Sequence, residues 1–237
     1  MRTDQAEGSR RSLLGRLAGV AGVAIVVGSF LPVVGAAGAG PFYSGFSAEQ
    51  IVTWVRENAV ALNVHGFAIG LSQTVFALFI VLLVAAAAGR GLLAVIAYLS
   101  AGAAVATDWA TSGVYFALAD AGQHSGSDAA VIGLFSLAKM MAASDGVEIG
   151  LAVAAVSVLA MRSRALPMPL AWLGLAAAAY LIFEAPVQIA ISQSAVGRLA
   201  GIGGVLGLLW ILAVAIVLLI KPVWGPSPMQ SAATATS

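Results

Sequence analysis

Residues 64–107 read VHGFAIGLSQTVFALFIVLLVAAAAGRGLLAVIAYLSAGAAVAT, which is two long apolar runs joined by Gly89-Arg90-Gly91. Each run has about the length that a helix needs to cross the hydrocarbon core of a bilayer. Because no water is present in that core, the backbone must satisfy its hydrogen bonds within each helix. The stretch therefore predicts two membrane-spanning helices connected by a tight glycine turn.

The composition of the whole chain agrees with this interpretation. Of the 237 residues, 61% are hydrophobic and only 9% are charged, whereas soluble domains are about 25% charged. The net charge of +1 offers no clustered basic surface for nucleic acid. The chain has no cysteine, which excludes disulfides, thiolate metal sites and cysteine nucleophiles.

The same reasoning, applied to every apolar run, predicts an all-α, polytopic transmembrane bundle of about six spans. The region 17–221 is expected to form a single transmembrane domain, between a cytoplasmic tail at 1–16 and a disordered cytoplasmic tail at 222–237. We expect the spans at about 17–34, 64–88, 91–108, 145–161, 170–189 and 201–220.

The first span has a second interpretation. Ser9-Arg10-Arg11-Ser12 resembles a twin-arginine export signal, and Ala37-Gly38-Ala39 resembles a cleavage site. Cleavage would leave five spans. Because the apolar run at 17–34 exceeds the ~7–15 residues of a signal peptide's apolar region, we expect a retained helix.

The segment after the first span contains a helix start. Ser47-Ala48-Glu49-Gln50 has the form of a capping box, and apolar residues then recur at helical spacing to about residue 62. We expect a short extracytoplasmic amphipathic helix at about 48–62, with Trp54 as its anchor. It either lies on the membrane surface or packs over the bundle as a lid.

Residues 108–128 carry acids, glycines and serines but no lysine or arginine, which predicts an external loop. The run at 131–141 is too short to span a bilayer and contains Lys139, so we expect a re-entrant or interfacial helix. A break at Ser144-Asp145-Gly146 would follow. Asp145 would then cap the fourth span, with Glu148 three residues later in its first turn.

The distribution of basic residues predicts the orientation. With the N-terminus in the cytoplasm, the inner side holds eight basic residues and the outer side holds two, Arg56 and Arg198, while Lys139 lies in the ambiguous segment. This asymmetry follows the positive-inside rule and places both termini in the cytoplasm. The inner eight are Arg2, Arg10, Arg11, Arg16, Arg90, Arg162, Arg164 and Lys221.

Pairs of glycines four residues apart, Gly15 with Gly19 and Gly203 with Gly207, would let helices approach closely. We interpret them as internal packing of the bundle. Contact with a membrane-protein partner or formation of a homodimer through these helices is the alternative.

Six polar residues form a candidate cluster near the outer leaflet: His65, Asp108, Lys139, Asp145, Glu148 and Glu184. A functional interpretation is a proton relay, a cation site or an acid–base pair. The structural interpretation, which we favour, is that the acids cap helices and pair with Lys139 or Arg198.

The chain lacks the usual catalytic and ligand motifs. It contains no HxxxH or HExxH pair, no GxSxG elbow and no phosphate-binding glycine loop after a strand. We therefore assign no catalytic residue, no cofactor and no metal. If the chain were an enzyme, Glu148 and Glu184 would be the candidate acid and base.

Two stretches carry a family resemblance. They are SAEQIVTWVREN at 47–58 and RALPMPLAWLG at 164–174. Together with the twin-basic start, they resemble uncharacterised six-span integral membrane proteins of high-GC bacteria that carry a domain of unknown function. The resemblance implies the topology and a place in the bacterial inner membrane, and it implies no catalytic residue.

From the sequence we expect a non-catalytic accessory, sensory or assembly component of the inner membrane. The first alternative is a small, proton-coupled transporter that uses His65, Asp108 and Glu184 in a water-accessible cavity. The second is a membrane enzyme that acts on a lipid-soluble substrate through Glu148 and Glu184.

Overall fold

A computed structural model describes residues 2–35, 47–87, 89–124, 127–191 and 201–220. These residues form helices and short turns, with no strand among them, which confirms the all-α prediction. The Ala37-Gly38-Ala39 motif, Arg198, Lys221 and the tail at 222–237 lie outside the described residues. The helices are α1 Arg2–Gly35, α2 Ala48–Glu57, α3 Ala59–Ala86, α4 Leu92–Gln123, α5 Asp128–Ser163, α6 Met168–Ile191 and α7 Gly201–Ile220.

Four of these helices are long and apolar enough to cross a membrane: α1 over Gly8–Ser29, α3, α4 and α5. Shorter apolar segments lie in the last two helices, at Met168–Glu184 and Gly204–Ile220. These lengths and compositions fit a membrane-associated protein. They establish four candidate spans, and the count of six stays a prediction.

The six long helices pack as a closed ring. In order of contact, α1 lies against α3, α3 against α4, α4 against α5, α5 against α6, α6 against α7, and α7 against α1. Trp210 of α7 is fully buried and faces Phe79 of α3 edge to face, with ring centroids 6.1 Å apart. Its indole N–H donates to the carbonyl oxygen of Leu170 at 3.0 Å, so one side chain ties together three helices.

Glycines allow the closest helix contacts. A Cβ atom on Gly19 would lie 2.8 Å from Leu219 Cγ, and one on Gly22 would lie 2.8 Å from Ala215 Cβ, so α1 and α7 touch where side chains are missing. Gly207 is also buried, and a Cβ atom there would lie 3.7 Å from Leu181 Cδ1. Gly19 and Gly207 thus pack inside the bundle, as we predicted for the glycine pairs, while a homodimer stays a prediction.

The capping box at the start of α2 is confirmed. Gln50 N–H donates to Ser47 Oγ at 3.3 Å, and Ser47 N–H donates to Gln50 Oε1 at 2.8 Å. Val55 is fully buried against Gly122 of α4, and Arg56 forms an ion pair with Asp128 of α5 at 2.9 Å. The amphipathic helix is therefore a lid packed on the bundle.

The lid is shorter than the predicted helix at 48–62. It ends at Glu57, and α3 begins at Ala59 after a bend at Asn58, whose side-chain amide donates to the Trp54 carbonyl at 2.9 Å. Trp54 is half-buried. Residues 59–62 belong to α3 because Ala59 and Leu62 pack beneath the lid.

The structure contradicts the loop predicted at 108–128, the separate short helix predicted at 131–141 and the break predicted at residues 144–146. Helix α4 continues to Gln123, and α5 runs without interruption from Asp128 to Ser163. The reason is a second apolar core beneath the lid, which buries the ends of these helices that lie next to α2. Its members include Val52, Val55, Leu62, Tyr115, Leu118, Val131 and Phe135.

We predict that Gly174→Ala destabilises the bundle. A Cβ atom there would lie 2.6 Å from Trp210 Nε1 and 2.9 Å from Trp210 Cε2, and a fully buried indole has no room to move. Overpacking of this kind costs about 1–3 kcal/mol. The measurement is the thermal unfolding midpoint of the purified protein in detergent.

Gly102→Ala is the matched control, because a Cβ atom at Gly102 meets nothing within 4 Å. Alanine favours a helix by about 0.5–1 kcal/mol over glycine, so this variant should keep or raise the midpoint. Equal midpoints for the two variants would contradict the packing described for α5, α6 and α7.

Candidate functional site

The register between α3 and α4 is set by two glycines. A Cβ atom on Gly66 would lie 2.9 Å from Tyr115 Cβ, and one on Gly70 would lie 2.8 Å from the indole of Trp109. The Trp109 N–H also donates to Thr74 Oγ1 at 3.1 Å. Because the helices run in opposite directions, this register places Gln73 of α3 at the level of Asp108 of α4.

Helix α4 carries a buried polar face made of Asp108, Thr111, Ser112 and Tyr115. These positions follow helical spacing, so they lie on one side of the helix. The Ser112 hydroxyl lies 2.6 Å from the Gly66 carbonyl oxygen and 2.7 Å from that of Asp108, which share its single proton. Thr111 donates to the Thr107 carbonyl at 2.9 Å. Both hydroxyls are satisfied by backbone.

The carboxyl groups of Asp108 and Asp145 lie within hydrogen-bonding reach of one another, between α4 and α5. Because a carboxylate has no donor, a hydrogen bond between them requires a proton on one of the two groups. Glu148 lies one turn further along α5 and acts electrostatically on both aspartates. We call Asp108, Asp145 and Glu148 the carboxyl cluster.

Several atoms at this level have no hydrogen-bond partner. Asp108 Oδ1, Glu148 Oε2 and Gln73 Nε2 are all buried and unpaired, and the Asp108 and Gln73 side chains are only 4% and 7% exposed. A buried polar atom left unpaired costs about 1–3 kcal/mol. Because buried polar atoms normally have a hydrogen-bond partner, these three atoms make the cluster a candidate binding site.

The cluster has no basic partner within the described part of the chain. The ion pairs found there are Arg56 with Asp128 and His124 with Asp120, both near the lid. Lys139 is half-buried on α5 and forms no ion pair with the three acids, and Arg198 lies outside the described residues. Pairing with Lys139, one form of the structural interpretation, is therefore wrong.

The capping role is also wrong for both acids of α5. Asp145 and Glu148 lie in the middle of that helix, whose cap is Ser127, with its side chain accepting from Ala130 N–H at 3.2 Å. The predicted proximity holds for Asp108, Asp145 and Glu148. The sequence predicted Asp145 and Glu148 at the start of a helix, whereas both lie in the middle of α5.

His65 lies apart from the aspartate pair. Its ring contacts Tyr115 edge to face, with centroids 5.0 Å apart, two helical turns from Asp108. Glu184 is half-buried on α6 and acts on Tyr180, one turn earlier in the same helix. Of the six predicted polar residues, Asp108, Asp145 and Glu148 act on one another.

Gln73, Ser112 and Tyr115 were missed by sequence reasoning. Gln73 had a visible signal, since it is the one amide in the middle of the apolar run at 64–88. Ser112 and Tyr115 had none, because their segment was interpreted as a loop. Among the described residues, no three His, Asp or Glu side chains are placed to hold a metal ion.

Comparison with protein-family models, with curated proteins and with solved structures finds no match to this chain.

The register of α3 and α4 can be tested by cross-linking, since the natural chain has no cysteine. We expect Gly66→Cys with Tyr115→Cys to form an intramolecular disulfide, because their Cβ positions are 2.9 Å apart and a small relaxation reaches the usual ~3.5–4.5 Å. Mass spectrometry after oxidation and alkylation measures the fraction cross-linked.

Gly66→Cys with Gly113→Cys is the control, since a Cβ atom on Gly113 meets nothing within 4 Å. If this control pair formed a disulfide, or if the Gly66–Tyr115 pair did not, the register of α3 and α4 would be different. Gln73 would then lie at a different level from Asp108.

Proposed function

We propose that this chain is a multi-pass protein of the bacterial inner membrane that acts as a proton-coupled transporter through its carboxyl cluster. The single observation that carries the proposal is the hydrogen bond between the carboxyl groups of Asp108 and Asp145, with Glu148 beside them. Two carboxyl groups that share one proton are a site that can bind and release it. Acids inside membrane helices are commonly part of proton relays.

The depth of the cluster supports this role. Asp108 lies 16 residues after Leu92, the start of α4, which is about 24 Å along the helix axis. If Arg90 marks the inner boundary of a ~30 Å hydrocarbon core, the cluster lies inside the core near its outer boundary. Charges are costly there, which favours binding of a compensating cation.

In this proposal the route for protons lies between the carboxyl cluster and the lid. The polar face of α4 extends from Asp108 through Ser112 to Tyr115, a distance of about 10 Å along the helix. Tyr115 contacts His65, whose imidazole ring can donate or accept a proton. In this proposal His65 delivers protons from the outer side, and the carboxyl cluster holds them.

The predicted topology is part of the proposal: six spans, both termini in the cytoplasm and a retained first helix. Its support is the eight-to-two distribution of basic residues. In this orientation, the lid and its ion pair between Arg56 and Asp128 face the outer side of the membrane.

We expect the full-length protein in liposomes to pass protons when a potassium diffusion potential is imposed, with an internal pH dye as the readout. The proton is the probe because no transported solute is identified. Asp108→Asn and Asp145→Asn should reduce the flux to that of protein-free liposomes, because neither amide can hold the shared proton. Glu148→Gln should reduce it at least several-fold.

Glu49→Gln, on the exposed face of α2, is the control and should keep the wild-type flux. All variants are first shown to keep the wild-type unfolding midpoint. A wild-type flux no greater than that of protein-free liposomes would contradict the proposal, as would full flux in Asp145→Asn.

The orientation predicts how single cysteines are labelled in spheroplasts by a membrane-impermeant maleimide. Glu49→Cys, on the exposed face of the lid, should react in intact spheroplasts. Ser9→Cys, exposed near the start of α1, should react only after permeabilisation. Labelling of Ser9→Cys in intact spheroplasts would reverse the topology, and loss of the segment from the mature protein would show a cleaved signal.

A further inference from the structure

A cavity of about 580 Å³ opens at the end of the bundle opposite the lid. It lies between the turn that joins α3 to α4 and the last turn of α5, where the apolar runs of these helices end. In a bilayer this is the level of the phospholipid headgroups. Its lining includes Arg90, Leu92, Leu93, Leu159, Arg162 and Ser163.

The cavity is strongly complementary to an anion. Arg90 approaches it from the turn between α3 and α4, and Arg162 approaches it from the last turn of α5. Both are exposed, and neither forms an ion pair within the described side chains. No acidic residue is part of the lining. The Ser163 hydroxyl is already used, since it donates to the Leu159 carbonyl at 2.8 Å. Two free guanidinium groups therefore face one opening, an arrangement that suits phosphate oxygens.

The apolar part of the lining distinguishes a lipid from a small soluble anion. Leu92, at the mouth of the cavity, is 74% exposed, and it is followed on the same face of α4 by Val95 and Leu99, which are 49% and 69% exposed. These side chains form a continuous apolar track that leads from the cavity toward the middle of the bilayer. A free phosphate would not use this track, whereas an acyl chain would cover it.

We propose that the cavity binds the phosphate of an anionic phospholipid, with Arg90 and Arg162 on the headgroup and an acyl chain along Leu92, Val95 and Leu99. Basic pockets between membrane helices on the cytoplasmic side are suited to such headgroups. The proposal rests on the membrane orientation given under Proposed function and is independent of the carboxyl cluster.

The experiment measures binding of phosphatidylglycerol to the full-length protein in detergent by titration with native mass spectrometry. We expect Arg90→Gln combined with Arg162→Gln to weaken binding roughly 30-fold. This is the effect expected when two arginines near an anionic lipid surface each lose a contact of ordinary strength. Arg16→Gln combined with Arg164→Gln is the matched control. It removes two exposed charges from the same end, and neither residue lines the cavity.

Two further ligands distinguish binding of a lipid headgroup from binding of free phosphate. Phosphatidylcholine, which has a phosphate but no net charge, should bind more weakly than phosphatidylglycerol, and inorganic phosphate should not displace the lipid. Equal binding of the two lipids, displacement by inorganic phosphate, or equal effects of the two double variants would each overturn the proposal.

The single variants Arg90→Gln and Arg162→Gln keep the test decisive if the double variant does not fold. Each should weaken binding several-fold, and unchanged affinity in both would overturn the proposal. Asp108→Asn should bind phosphatidylglycerol as the wild type does, so a failure of lipid binding and a failure of proton flux are distinguishable.

Discussion

The hydrogen bond between Asp108 and Asp145 is possible only because α4 and α5 both continue past the level at which it forms. A membrane helix that ended there would expose its carboxyl group to the headgroup layer and to water. In the folded chain the two acids are instead surrounded by neighbouring helices. The bond therefore converts two groups that repel one another when charged into a contact that holds a proton.

The buried hydroxyls of Thr111 and Ser112 are satisfied by nearby backbone. Thr111 donates to the carbonyl oxygen four residues earlier, and Ser112 lies within hydrogen-bond distance of the carbonyl oxygens of Asp108 and Gly66, which is the usual way for small polar side chains to enter an apolar helix. The unpaired atoms of Asp108, Glu148 and Gln73 depart from this pattern. Buried polar atoms without a hydrogen-bond partner are typical of functional sites, where a polar atom is retained for a ligand.

The two ends of the bundle differ in chemistry. At one end, α2 covers α4 and α5 through an apolar core and an ion pair. At the other end, arginines line an open cavity with an apolar wall. This asymmetry matches the distribution expected of a protein with one fixed orientation in a charged membrane. It also separates the proposed proton site from the proposed lipid site by more than half the length of α4.

The sequence alone determined the helical class, the long apolar helices, the tight turn at Gly89 to Gly91 and the capping box of α2. Each of these depends on neighbouring residues, either through hydropathy or through contacts within one helical turn. Asp108, Asp145 and Glu148 were also recognisable as acids in an apolar setting. Their relation to one another was not.

Only the tertiary structure decided that residues 108–123 and 128–144 are helical, that α2 is a packed lid, and that Gln73 lies level with Asp108. These outcomes depend on contacts between residues far apart in the chain, such as Val55 with Gly122 and Gly66 with Tyr115. The ends of α4 and α5 next to α2 are buried under a lid that hydropathy does not reveal. A count of apolar residues therefore ended these helices where the residues become more polar, although packing against α2 keeps them helical.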